Sequence, residues 1–384
     1  MTTAGSALSA TLLDDTDPSP LFKPVDVDGL HLRNRLVMAP MTRQFSPGGV
    51  PTEDVVAYYR RRASSLGLLI TEGTYVDHPS AGASDPVPRF YGADALAAWR
   101  RVAGAVHAEG AAIFPQLWHL GAQRKPGTPP FPNAPVISPS GLDAAGRVVG
   151  EPASARGLAD IAASFARAAA NARAAGFDGV ELHGAHGYLL DQFHWPATNR
   201  RDDVYGGDVC GRVRFSAEVA AAVRAAVGPD FPVAFRFSQW KGGHYDARIA
   251  ETPDELAAFL TPLVNAGVSL FHVSTRRYWL PAFGGSDRTL AGWTKYLTGL
   301  PVIAIGSVGV SAPFFASPDE DVQRTLTLAP LVGLLRRGEF DLVALGRAVL
   351  ADPEWASKLA DARLGEIRPY DKSAGSVLYR HHCR

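Results

Sequence analysis

The segment His183-Gly-Ala-His186-Gly-Tyr188 sets two imidazoles and a phenol side by side, directly after the short apolar run Phe177–Leu182. Two imidazoles converging on one oxygen can each donate a hydrogen bond to it, while the phenol holds a proton in reserve. The same histidines, with Glu181 on the same strand face, could instead ligate a metal ion in a hydrolase. In a third reading both histidines are hydrogen-bonded structural groups, and the spacing ranks the three about equally. Arg236 separates them. It ends another apolar run between Phe235 and Phe237 and brings a permanent cation to the same region. A fixed guanidinium suits an electron-rich anionic ring and opposes a divalent metal. The competing role is neutralising a core carboxylate.

Other run ends carry complementary chemistry. Gln116 can both donate and accept, as recognition of a heterocycle edge requires. Gly306-Ser307 and Gly346-Arg347 close the last two runs, where glycine lets backbone N–H groups approach phosphate oxygens and Arg347 adds charge-assisted bonds. Either pair alone reads equally well as a simple turn. Both together, with an arginine, favour a phosphate.

The elements that position these residues repeat. A helical stretch ends at a glycine and an apolar run follows: Leu68–Thr71, Ala111–Gln116, Phe177–Leu182, Pro232–Arg236, Val268–Val273, Pro301–Ile305 and Phe340–Leu345. Arg35–Pro40 adds a strand with no helix before it. Helices are expected over Thr52–Ala63, Ala93–Glu109, Ala155–Ala175, Arg212–Val227 and Pro253–Ala266. About eight strands alternating with helices predict an α/β fold, a single-domain (β/α)8 TIM barrel with its working residues at the C-terminal strand ends. An open doubly wound sheet is the alternative, and no Gly-x-Gly-x-x-Gly follows the first strand to support its nucleotide-binding form. The expected organisation is a leader over 1–20, a barrel over 21–362 and a tail over 363–384. A Pro- and Gly-rich insertion at 121–152 is placed over the barrel mouth, and a second irregular insertion spans Gly309–Leu328.

Composition narrows the class. Lys plus Arg (38) equals Asp plus Glu (38), so neither nucleic acid nor a membrane surface is favoured as a partner. The two cysteines form no spaced motif, which argues against a disulfide framework, a zinc knuckle or an iron–sulfur cluster. The first residues have no cationic n-region or sustained apolar stretch, and a cytoplasmic location is expected.

With these residues in view, the chain resembles the Old Yellow Enzyme family of NAD(P)H:flavin ene-reductases from about Leu21 to Leu359. The matching segments are Ala39-Pro-Met-Thr42, Gln116-Leu-Trp-His-Leu-Gly121, His183–Phe193, Thr198–Asp203 with Tyr205-Gly-Gly207, and Gly346–Pro353, all in the family's order. The resemblance implies tightly but non-covalently bound FMN, NAD(P)H as reductant, and a small activated alkene as substrate, with no metal. It implies that Pro40, Met41 and Gly73 contact the flavin through backbone, Thr42 bonds its O4, and Gln116 its pyrimidine edge. Arg236 would face the N1/O2 side, and Gly306, Ser307, Gly346 and Arg347 would hold the phosphate. His183 and His186 would bind the substrate's carbonyl or nitro oxygen, and Tyr188 would protonate its α-carbon in a ping-pong cycle. Trp118, Tyr75 and Tyr278 are placed in the substrate-pocket wall, although such rings are more often plain packing, Trp118 excepted.

The sequence also departs from the family pattern. Thr42 stands where one branch has a cysteine. Ser307 stands where another small or amide residue is expected. His119–Arg124 differs from the frequent Gly-Arg ending, and Phe237-Ser-Gln-Trp-Lys241 replaces a proline-bearing continuation. These differences bear on substrate preference. Two other functions stay open here: a metal-dependent barrel hydrolase using Glu181, His183 and His186, and a flavin-binding barrel without alkene turnover.

Overall fold

A computed structural model describes residues 16–309 and 328–378. Eight parallel strands close into a barrel: β3 (Leu36–Met38), β4 (Leu68–Tyr75), β5 (Ala112–Trp118), β6 (Val180–His186), β7 (Val233–Lys241), β8 (Leu270–Ser274), β9 (Val302–Ile305) and β10 (Leu342–Leu345). β10 pairs with both β9 and β3, which completes the cylinder. An open doubly wound sheet is thereby ruled out.

Alternation along each strand decides what enters the barrel. Leu36 and Met38 of β3 pack outward under the helices, whereas Val37 and Ala39 join the inner cluster. Ala234 of β7 is likewise inner, between the outward neighbours Val233 and Phe235. The same parity carries Arg236 inward. On β6, Val180 and Leu182 face out, so Glu181 and His183 face in, as Gln116 does on β5 and His272 and Ser274 do on β8. The inner residues therefore change from apolar at the strand starts to polar at the strand ends. The barrel delivers the polar set to its C-terminal mouth.

All five expected helices form, with small shifts at their ends. The one expected from Arg212 begins at Val209, because the Asp208 carboxylate accepts the Gly211 N–H at 2.8 Å and caps the preceding turn. Thr52, Ser154, Thr252 and Thr289 cap four other helices in the same way. An antiparallel hairpin that the strand pattern did not predict precedes the barrel, β1 (Val25–Val27) and β2 (Leu30–Leu32), turned by Asp28 and Gly29 at φ 49° and 77°. Its Val27 and Leu32 belong to the same inner cluster as Val37 and Leu68 from the starts of two barrel strands, the end away from the mouth.

The 121–152 segment packs over the loop that follows β6. Arg201 donates to the carbonyls of Pro139 and Ala153, and the Arg200 N–H to Ser140 Oγ at 2.8 Å. The tail folds back on the opposite side of the mouth, where Arg43 donates to the Gly375 and Val377 carbonyls at 3.1 and 2.8 Å. Most of the leader, most of the Gly309–Leu328 insertion and the end of the tail lie outside the described residues. Among those described, no helix is long and apolar enough to cross a membrane.

Candidate active site

Directly below the mouth, three strands share one buried polar network. The Gln116 amide donates to Glu181 Oε1 at 2.8 Å, and His272 Nδ1 donates to Glu181 Oε2 at 2.6 Å. Burial alone would push the Glu181 carboxyl up, but His272, Arg236 and Gln116 together hold it below its ordinary value. Both Glu181 oxygens are thus committed to the protein. The Glu181, His183 and His186 set is not assembled as a metal site, and no group of three or more His, Cys, Asp or Glu side chains among the described residues is. The hydrolase reading loses its ligand set.

Arg236 lies beside this network, 5% exposed, and its buried Nε has no hydrogen-bond partner. Desolvation favours its neutral form and the Glu181 charge opposes that. A guanidinium keeps its proton under such conditions, so a buried cation faces the mouth with donor capacity unspent.

The imidazoles and the phenol form a chain of ring contacts. His183 lies 5.3 Å from His186 and 5.0 Å from Tyr188, centroid to centroid. Tyr188 meets Trp118 edge-on at 4.8 Å. Burial, then the Arg236 cation, holds both histidines well below their ordinary pKa, so each is a neutral ring with one N–H to give. His183 Nδ1 is buried without a partner. Burial also raises the Tyr188 phenol, which keeps its proton.

A cavity of about 390 Å³ crosses the mouth from Pro40 and Met41 after β3 to Arg236 on β7, strands on opposite sides of the barrel. Arg236, Arg276, Arg277 and Arg347 line it, and no Asp or Glu among the described residues does. At one end Arg277 donates to Ser307 Oγ at 3.1 Å, and that hydroxyl donates to the Arg276 carbonyl at 3.0 Å. Burial, and to a lesser degree Arg277, lowers the Arg347 pKa. Gly306 is required here, since a Cβ would lie 2.6 Å from Thr275 Oγ1 and 2.7 Å from the Tyr278 N. Such a concentration of guanidinium groups around glycine backbone fits an anion.

The expected residues divide by depth. Pro40, Met41, His186, Arg236, Gly306, Ser307, Gly346 and Arg347 line the cavity. His183, Tyr188 and Trp118 continue from His186 through ring contacts. Gln116 and Gly73 are buried below them, and a Cβ at Gly73 would strike the Trp118 ring at 2.5 Å. Thr42 is exposed at the rim. Tyr75 and Tyr278 are each only 3% exposed, and neither is among the residues that line this cavity. Tyr75 stacks behind Trp118 at 5.4 Å, and Tyr278 packs edge-on against Trp279 at 5.0 Å.

Several residues at the site have roles that pattern alone left open. Arg277 follows Ser274-Thr-Arg276 at the end of β8, a signal that was readable. Trp240 stacks on His186 at 4.5 Å, and Arg276 covers the Tyr245 ring at 4.0 Å. Glu72, pushed up to about 7 by burial, accepts the N–H groups of Arg43 and Gln44 and so anchors the loop that carries Thr42.

Residues 20–366 match the model of the NADH:flavin oxidoreductase / NADH oxidase family. The chain is 35% identical over 366 residues to an NADH oxidase of Thermoanaerobacter brockii, covering 91% of this chain and 52% of that protein. It therefore spans about half the length of that relative. It is 35% identical over 354 residues to 12-oxophytodienoate reductase 7 of Oryza sativa subsp. japonica, covering 88% and 86% of the two chains. Among solved structures it superposes on Old Yellow Enzyme from Pichia sp. AKU4542 with a TM-score of 0.76, 27% identity and coverage of 93% and 90%. For morphinone reductase in complex with tetrahydroNAD, the TM-score is 0.75 at 27% identity, covering 94% of each chain.

Proposed function

The chain belongs to the NADH:flavin oxidoreductase / NADH oxidase family, and from that premise we propose that it is an FMN-dependent NAD(P)H oxidoreductase that reduces the activated C=C bond of unsaturated carbonyl or nitro compounds. One observation carries the reading: a buried guanidinium with an unpartnered Nε borders a cavity that also exposes a neutral imidazole. A planar anionic ring would satisfy the first, and a substrate oxygen the second.

The residues present fit the cofactor. Pro40 and Met41 would hold one face of the ring, Thr42 and Gln116 its polar edge, and Arg236 the N1/O2 side. The Gln116 amide already donates to Glu181, which leaves its carbonyl to accept from the ring. Gly306, Ser307, Gly346 and Arg347 would hold the phosphate, with Arg276 and Arg277 beside them. When bound, FMN supplies the hydride chemistry, taking hydride from NAD(P)H and passing it to an activated alkene.

The protein's own steps follow from protonation and placement. His183 and His186, both neutral, orient the alkene through its carbonyl or nitro oxygen and stabilise the charge that develops there. Tyr188 keeps its proton until the α-carbon needs it. Reductant and alkene would occupy the same cavity in turn, which makes the cycle ping-pong.

The cofactor seat is tested by titrating the flavin-stripped protein with FMN and with riboflavin, which lacks the phosphate. FMN is expected to bind tighter by about 100-fold or more, given the strength of charge-assisted bonds to a phosphate. Equal affinities would remove the phosphate assignment, and a protein that takes up neither flavin would end the reading.

A further inference from the structure

Lys241 and Asp191 form an ion pair at 2.7 Å with 1% and 0% of their side chains exposed, and nothing proposed above uses it. A buried pair is a weak source of stability, because both ions must be desolvated. Its position offers another role. Lys241 is the β-register partner of His186, and Asp191 lies in the short helix Leu189–His194 just beyond Tyr188.

His186 is held in an uncommon conformation. Its φ is 63° and that of Gly187 is 80°, a left-handed turn that a side-chain-bearing residue keeps only when its surroundings enforce it. Asp191 Oδ2 accepts the Gly187 N–H at 2.7 Å, while Lys241 holds the other oxygen and donates to the Ser238 carbonyl at 3.0 Å. Ser238 Oγ in turn accepts the His186 N–H at 3.1 Å and donates to the Trp240 carbonyl at 2.7 Å. The ring is gripped as well. Trp240 stacks on it at an interplanar angle of 27° and donates to the Ser274 carbonyl at 3.2 Å, and Ser274 Oγ meets His186 Nε2 at 2.8 Å. The segment Ser238–Lys241, where the sequence leaves the family pattern, thus holds His186 by its backbone and by its ring.

We propose that Lys241 is a positioning residue: through Asp191 and Ser238 it fixes the His186–Gly187 turn and so sets where the His186 N–H meets a substrate oxygen. The inference rests on the reading of His186 as one of the two donors to that oxygen.

Two variants test it. Lys241→Met strands the Asp191 charge. Lys241→Met with Asp191→Asn strands none and leaves an amide oxygen to accept from Gly187, so it carries the test should the single variant fail to fold. The FMN-loaded enzyme is reduced with dithionite, and its reoxidation by 2-cyclohexenone is compared with that by ferricyanide. The enone must be bound through its carbonyl, whereas two ferricyanides each take one electron with no such bond. The second-order rate constant with the enone is expected to fall about 10- to 100-fold, and that with ferricyanide to stay within about twofold, as for a misplaced binding group. The half-saturating enone concentration should rise as well. An unchanged enone rate in the double variant would make the pair purely structural and overturn the proposal, as would equal losses with both acceptors. Failure of the unsubstituted enzyme to react with the enone would instead sink the functional reading on which the inference rests.

Discussion

Replacing His183 and His186 together by alanine is expected to slow enone reduction about 1000-fold or more, since one oxyanion donor alone is commonly worth about 100- to 1000-fold. The size follows from protonation. Burial and Arg236 keep both rings neutral, so each offers a single N–H from a pre-set position and needs little reorganisation when charge develops on the substrate oxygen. The two act on one atom, so the single variants should each show most of the loss. Because both histidines are shifted downward, the rate should not titrate near the ordinary histidine value. It should stay level as pH rises through neutrality, because neither ring changes its protonation there. Stopped-flow reoxidation of the reduced holoenzyme by 2-cyclohexenone measures both effects. Wild-type rates in the double variant would show that the substrate oxygen binds elsewhere.

Tyr188→Phe is expected to lower turnover of the same enone by about 100- to 10,000-fold, the range for loss of a positioned general acid. Burial raises the phenol above its ordinary value and Arg236 only partly offsets this, so the proton is retained across neutral pH. The ring itself is fixed by His183 at 5.0 Å and Trp118 at 4.8 Å, contacts that phenylalanine preserves. The loss should therefore appear in turnover without a matching loss of stability in thermal unfolding. A variant with near-normal turnover would assign the proton to water or to another side chain.

Much of this arrangement was legible in the order of residues alone. The glycine-then-apolar rhythm located seven of the barrel strands and the apolar run Arg35–Pro40 the eighth, because a strand covered on both faces needs a continuous apolar run. Polar residues at the ends of those runs, Gln116, His183 and Arg236 above all, marked the mouth. The hairpin at Val25–Leu32 carries a turn signal in Asp28-Gly29, but its strands are three residues each, too short to stand out as apolar runs. Tyr75 and Tyr278 could not be placed by pattern. Whether a loop ring lines a cavity or backs another ring depends on contacts between separate βα units, such as Tyr75 on Trp118. The same holds for Lys241, whose partner lies 50 positions earlier in the chain, and for the link from Arg277 to Ser307. Periodicity reports which face a residue occupies. It is silent on which long side chains meet above the barrel.

In the proposed function this barrel mouth carries electrons from a nicotinamide to an alkene through a bound flavin. The most direct test is the visible absorption spectrum of the purified protein, followed anaerobically through two additions. On this account the protein is yellow, NADPH bleaches the band, and 2-cyclohexenone added afterwards restores it. A band that NADPH bleaches but no enone or nitroalkene restores would contradict the account, leaving a flavoprotein that passes electrons elsewhere.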